Sequence, residues 1–172
     1  MIKHVKYKDT TNDISHIYKQ IYLSNYKNAK RISLLNAHHI GAVLYIGNHP
    51  KSPETQKLYD ENSIKHTFIH MEDTIDANIS ECFETAWKFI TENVKHGKNI
   101  LVHCRQGISR SPTIVAYYLM RMLYEYKKKH HSKIQPLLNE ILDLIHLYRP
   151  CANPNINFIL QLKMYENKIL KV

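Results

Sequence analysis

Ile100, Leu101 and Val102 form a short apolar run that reads as a buried strand. From Arg110 onward Ile114, Val115, Tyr118, Leu119, Met122 and Leu123 recur at helical spacing, to about Tyr126. The seven residues Cys104 to Arg110 must therefore turn the chain from a strand into a helix, and this turn restricts the fold more than any other stretch. A strand-to-helix turn aims its backbone N–H groups and the positive end of the helix dipole at one point, which makes a ready anion site. Cys104 opens the turn, and a thiol there is expected to ionise readily, because the groups that would hold an anion also stabilise a thiolate. Arg110, at the helix start, can fold back and offer a bidentate fork to two oxygens of a phosphoryl group, a geometry that Lys does not reproduce. Gly107 sits mid-turn, where the backbone calls for positive φ or close approach to a ligand. Ser111 can donate a hydrogen bond to the Cys104 sulfur. The competing reading of Cys104 is a small buried hydrophobe at a strand end.

These residues make the pattern Cys-x5-Arg-Ser. The stretch His103-Cys-Arg-Gln-Gly-Ile-Ser-Arg-Ser-Pro-Thr113 resembles the signature of the protein tyrosine phosphatase superfamily, and most closely its small, atypical dual-specificity branch. Ile21-Tyr-Leu-Ser-Asn25 resembles the first strand of that branch, with Ser24 where Gly is usual. Arg149-Pro-Cys-Ala-Asn-Pro-Asn155, with Phe158 and Gln161-Leu162, resembles its Arg-Pro…Pro-Asn…Phe…Gln-Leu segment. The resemblance covers roughly residues 14 to 170 and is most specific at 100–113.

It implies a metal-free, cofactor-free protein phosphatase acting on phosphotyrosine and phosphoserine/threonine through a phosphocysteine. Cys104 is then the nucleophile and Arg110 the clamp. Arg105, Gln106, Gly107, Ile108, Ser109 and Arg110 form the phosphate-binding loop, Ser111 assists the sulfur, and His103 holds the loop from behind. Expelling an alkoxide or phenoxide also needs an acid. Asp73 is the choice, because Asp73-Thr…Asn78-Ile-Ser…Phe83 resembles the acid loop of the family; Glu72 and Asp76 are its rivals. Some members of the superfamily protect the nucleophile by a disulfide to a second Cys, a role for which Cys82 is the candidate, although Cys82 and Cys151 read more simply as core or loop thiols.

The alternatives within the superfamily are a phosphoinositide phosphatase and an RNA 5′-phosphatase, both suited to a chain whose net charge is +9. Gln106, Ile108 and Ser109 are neutral and only Arg105 adds a cation, which ranks polyanionic substrates, nucleic acid included, below phosphoproteins. A phosphoprotein-binding pseudophosphatase is the rival outside enzymes, yet Cys104, Arg110 and Asp73 are all present. The four glycines cannot satisfy either common nucleotide-binding pattern. Twelve histidines invite a metal, but no His-x3-His pair falls on a helix with a carboxylate, and His66 and His70 lie on a strand. Three cysteines without Cys-x2-Cys spacing indicate neither a disulfide framework nor a zinc site. With no long apolar run and no signal-peptide core, an intracellular chain is expected, cytoplasmic or alternatively nuclear. Oligomeric state is not legible.

The order of patterns predicts a single α/β domain with a short, mostly parallel sheet of about five strands flanked by helices. Residues 1–13 read as a loosely packed segment and 14–172 as the catalytic domain. Within it the patterns predict a hairpin around Tyr18-Lys19, a helix over Asn25 to Ala37, and a strand over Ala42–Ile46. A short helix over Pro53 to Asn62 and a strand over Lys65–His70 follow. The stripe of Ile79, Phe83, Ala86, Trp87, Ile90 and Val94 predicts a helix ended by Gly97. After the helix at Arg110, Lys127–Lys129 reads as a polar loop. Ile134, Leu137, Leu138, Ile141, Leu144 and Ile145 mark the next helix, and Phe158, Leu162, Tyr165 and Ile169 the last.

Overall fold

The computed structural model describes residues 13–133, 135 and 137–171, so the expectations for residues 1–12 and for Ile134 lie outside the described residues. Five strands form one sheet: β1 (Ser15–Tyr18), β2 (Ile21–Ser24), β3 (Ile40–Gly47), β4 (Lys65–His70) and β5 (Asn99–His103). Their order is β1-β2-β5-β3-β4, with β1 antiparallel to β2 and every other pair parallel. Six α-helices cover it: α1 (Ile32–Ala37), α2 (Pro53–Glu61), α3 (Phe83–Lys95), α4 (Arg110–Lys129), α5 (Leu138–Tyr148) and α6 (Ile156–Leu170).

Side chains alternate across the strands, so the sheet divides the core in two. Leu23, Ala42, Leu44, Ile46, Ile100 and Val102 face the larger cluster under α3 to α6. Tyr22, Val43 and Leu101 face a smaller cluster built with Ala29, Leu35 and Tyr59 under α1 and α2. The central strand β5 is hydrogen-bonded on both sides, and its apolar run Ile100–Val102 is fully buried, as a parallel strand covered on both faces requires. β5 therefore delivers its C-terminal end to a fixed point between β2 and β3.

Three expectations are corrected. Asn25 to Ala37 is not one helix but a 3-10 turn, Asn28–Lys30, and α1, separated by Arg31 in an extended conformation. A continuous helix would set Ala29 and Leu35 about 120° apart around its axis; the break lets both reach the same cluster, where Tyr59 Oη donates to the Ala29 carbonyl at 2.6 Å. Asn25 still caps the turn by accepting the Asn28 N–H. Lys127–Lys129 is not a loop but the last turn of α4, where three ammonium groups complement the negative end of the helix dipole. The helix expected to begin at Ile79 opens as a 3-10 turn, Ile79–Cys82, before α3. Gly97, at φ +73°, ends α3 as expected.

Candidate active site

At the end of β5 the chain leaves the sheet at Cys104, which is 1% exposed, and regains regular structure at Arg110. Between them four consecutive carbonyls are drawn outward. Arg105 O accepts from Tyr26 N–H at 3.1 Å, Gln106 O and Gly107 O from Arg149, and Ile108 O from Asn153 N–H at 2.7 Å. Because the peptide unit is planar, turning the carbonyls out turns the following N–H groups in. Gly107 N–H accordingly points at Cys104 Sγ at 3.2 Å, and Ser111 Oγ donates to the same sulfur at 3.3 Å. Gly107 has φ +70°, and a Cβ there would strike the Ser24 carbonyl and the Arg149 guanidinium.

Arg110 is buried and folds back over the turn. Its Nη1 donates to Asn48 Oδ1 at 2.5 Å and to the Met71 carbonyl at 2.9 Å, while Nε lies 3.6 Å from Asp73 Oδ2. The Asp73 carboxylate is fixed by Ser109 Oγ at 2.7 Å and by Asn155 Nδ2 at 3.0 Å, both donating to Oδ1. Ser109 precedes α4 but makes no side-chain cap, because its hydroxyl serves Asp73 and accepts Asn155 N–H.

A cleft of about 690 Å³ opens at this turn, lined by Tyr26, Tyr45, Asn48, His49, Asp73, Thr74, Arg105, Gln106 and Arg110. Of the three acidic candidates, Asp73 lines this cleft; Glu72 and Asp76 do not, and hydrogen bonds to Thr74 and its own backbone hold the Asp76 carboxyl below the usual range.

His103 is wholly buried, and burial, with Lys51 nearby, pushes its imidazole well below the usual range. The neutral ring donates from Nδ1 to the Cys104 carbonyl at 3.2 Å. Tyr45 is its register partner on β3 and stacks on it at 4.8 Å. Behind Tyr45, Lys51 is 5% exposed, with Nζ over the Tyr45 and Tyr59 rings and burial lowering its amine to about 7. Cys82 is a core thiol that burial pushes up to about 11. Among the described residues no three His, Cys, Asp or Glu side chains are grouped to hold a metal ion, and no helix is long and apolar enough to cross a membrane.

The structure thus brings His103, the loop 104–110, Ser111 and Asp73 together. Sequence reasoning missed Tyr26, Tyr45, Asn48 and Lys51, and gave Arg149, Asn153 and Asn155 no role. The strand alternation that pairs Tyr45 with His103 was the one usable signal.

Comparison with known proteins leads to the same place. The family model described as dual specificity phosphatase, catalytic domain, matches residues 21–168. The chain is 33% identical over 167 residues to tyrosine-protein phosphatase yvh1 of Schizosaccharomyces pombe, covering 95% of this chain and 44% of that protein. Over 150 residues it is 33% identical to dual specificity protein phosphatase 5 of Homo sapiens, covering 87% and 35% respectively. It therefore spans less than half the length of these curated relatives. Its fold matches the crystal structure of DUSP15 with a TM-score of 0.76 at 29% identity, covering 93% of this chain and 94% of that one. By sequence and by fold, the chain belongs to the dual specificity phosphatase catalytic domain family.

Proposed function

We propose that this chain is a cysteine-dependent protein phosphatase that hydrolyses phosphotyrosine and phosphoserine/threonine through a phosphocysteine, with residues 14–172 as the catalytic unit. The observation that carries the reading is the focus of Gly107 N–H and Ser111 Oγ on Cys104 Sγ, in the turn whose Arg110 lines the adjoining cleft with Asp73. The substrate phosphoryl group sits on the inward N–H groups, and the thiolate attacks phosphorus opposite the leaving oxygen. An Sγ–P bond forms as the P–O bond breaks, and Asp73 gives its proton to the departing oxygen. Arg110 and the loop N–H groups hold the charge that gathers on the equatorial oxygens. Water then attacks phosphorus, losing its proton to Asp73, and the thiolate leaves with the Ser111 hydroxyl stabilising it. The released product is inorganic phosphate, and these steps call on no metal or organic cofactor.

Phosphoproteins are the proposed substrates because Gln106, Ile108 and Ser109 leave Arg105 as the loop's extra cation. A thiol nucleophile persists in a reducing compartment, which supports an intracellular site of action. The test is turnover of an aryl phosphate in EDTA by wild type and Cys104→Ser. It is followed by kcat/KM on a Thr/Tyr bisphosphorylated peptide, a soluble phosphoinositide and a 5′-triphosphate RNA. The reading expects EDTA-resistant turnover, none in Cys104→Ser, and the peptide to be preferred. Loss of activity in EDTA, full activity of Cys104→Ser, or preference for either polyanion would each overturn it.

A further inference from the structure

Arg149 directly follows α5, forty-five residues after the nucleophile, and its side chain is fully buried although it is the largest such side chain among the described residues. Its head lies against the back of the phosphate-binding turn. Nε donates to the Gly107 carbonyl at 2.7 Å, Nη2 to the Gln106 carbonyl at 3.3 Å, and Nη1 to Ser15 Oγ on β1 at 3.3 Å. A planar guanidinium can reach two successive carbonyls and a third acceptor at once; an ammonium on a flexible stem cannot reproduce that fork. Gly107 completes the arrangement, since a Cβ would occupy the space that the guanidinium fills.

The orientation of those two carbonyls decides where the N–H groups of Gly107 and Ile108 point. With Gln106 O and Gly107 O turned onto Arg149, both N–H groups are held toward the sulfur side of the turn, and Gly107 N–H is seen on Cys104 Sγ. Without Arg149 the buried Gly107 carbonyl would lose its partner, and a peptide flip that turned either carbonyl toward the cleft would present an acceptor to an anion. Arg149 also places a positive charge close enough to interact with both Cys104 and Cys151.

We propose that Arg149 is a positioning residue that keeps the anion cradle preformed: it never touches substrate, but fixes the direction of the loop N–H groups from behind. The neighbouring strap adds to the same effect, with Asn153 N–H on the Ile108 carbonyl and Asn155 on Ser109 and Asp73. The proposal rests on the phosphatase reading for its link to turnover, but anion binding tests it without turnover.

The experiment compares Arg149→Lys, Arg149→Met and wild type, each checked for a cooperative melt above the assay temperature. Inorganic phosphate affinity is read as protection of Cys104 from iodoacetamide, and kcat and KM are measured on an aryl phosphate. Arg149→Met is expected to lose at least tenfold in phosphate affinity and roughly 100-fold in kcat, the order of a lost oxyanion donor. Arg149→Lys, which keeps the charge but not the fork, should recover less than a tenth of the lost kcat. If Arg149→Met does not fold, Arg149→Lys carries the test. A folded variant with phosphate protection and kcat within threefold of wild type overturns the proposal. Recovery of both by Arg149→Lys also overturns it, because charge alone would then suffice. Absence of turnover in wild type with phosphate protection intact and Arg149-dependent would sink the phosphatase reading and leave this one standing.

Discussion

Lys51 is a buried ammonium whose cost can be worked out. Its amine titrates at about 7 rather than near 10.5, and the cause is desolvation. At about 1.4 kcal/mol per pH unit, keeping the charge in the fold at pH 7 costs about 5 kcal/mol. Nζ lies 5.2 Å and 4.8 Å from the Tyr45 and Tyr59 ring centroids, and attraction to two ring faces offsets about 2 kcal/mol of that. Lys51→Met keeps an unbranched stem of similar length and removes the charge, so it should stabilise the protein by about 3 kcal/mol at pH 7, or about 9 °C in melting temperature. The sign of the pH dependence follows from proton counting. The unfolded chain holds the Lys51 proton up to about 10.5 and the folded chain only up to about 7, so between these values the unfolded state binds more protons and wild-type stability rises with pH. The variant lacks this contribution, and its advantage should therefore be largest at and below pH 7 and fall under about 1 kcal/mol by pH 10. Urea melts of both proteins at pH 6.5, 8 and 10 measure it. A variant less stable than wild type at pH 7, or a gap that does not narrow toward pH 10, would refute the reasoning.

Asp73→Asn should cripple hydrolysis of phenyl and alkyl phosphates while sparing substrates with a stabilised leaving group, and should flatten the alkaline limb of the pH–rate profile; Glu72→Gln and Asp76→Asn should do neither. If the leaving-group dependence appears in Asp76→Asn instead, the acid is Asp76. Glu166, 1% exposed, accepts Leu137 N–H and Leu138 N–H at 2.6 and 2.7 Å and pairs with Lys163 Nζ, so α6 caps the start of α5. Burial raises its carboxyl, but those hydrogen bonds outweigh burial and leave it below the usual range. Glu166→Gln should cost about 2 kcal/mol in a urea melt at pH 7. That difference should shrink as pH falls through the carboxylate range, where wild type loses the ionised cap; a constant difference down to pH 3 would contradict it. Gly107→Ala should abolish turnover and phosphate protection together while leaving a cooperative melt, since the added methyl meets the Ser24 backbone and Arg149.

What was legible in the sequence was local. The apolar run of β5, the helical period of α4 and the seven residues between them mark the turn. Positive φ at Gly107 and Gly97 follows from their places in a loop and after a helix. What was not legible depends on contacts across the chain. Arg149 acts on backbone carbonyls about forty residues away, and a carbonyl leaves no mark in the sequence of its partner. Lys51 looks like any solvated lysine until α2 folds Tyr59 over it. The break at Arg31 is a case of tertiary packing overriding helical pattern, because two apolar residues on different helical faces are needed in one cluster. Lys127–Lys129 is the opposite case: its polar composition suggests a loop, but the end of a helix favours cations just as well.

The central claim, that the Cys104 sulfur takes the phosphoryl group, is tested most directly by rapid alkaline denaturing quench of the protein during turnover of an aryl phosphate, followed by peptide mass spectrometry. The account predicts one added phosphoryl group on the peptide that contains Cys104, formed before product phosphate, absent in Cys104→Ser and accumulating in Ser111→Ala, where the sulfur leaves without its hydrogen bond. Turnover with no trapped intermediate in Ser111→Ala, or a phosphoryl group on any other residue, would contradict it.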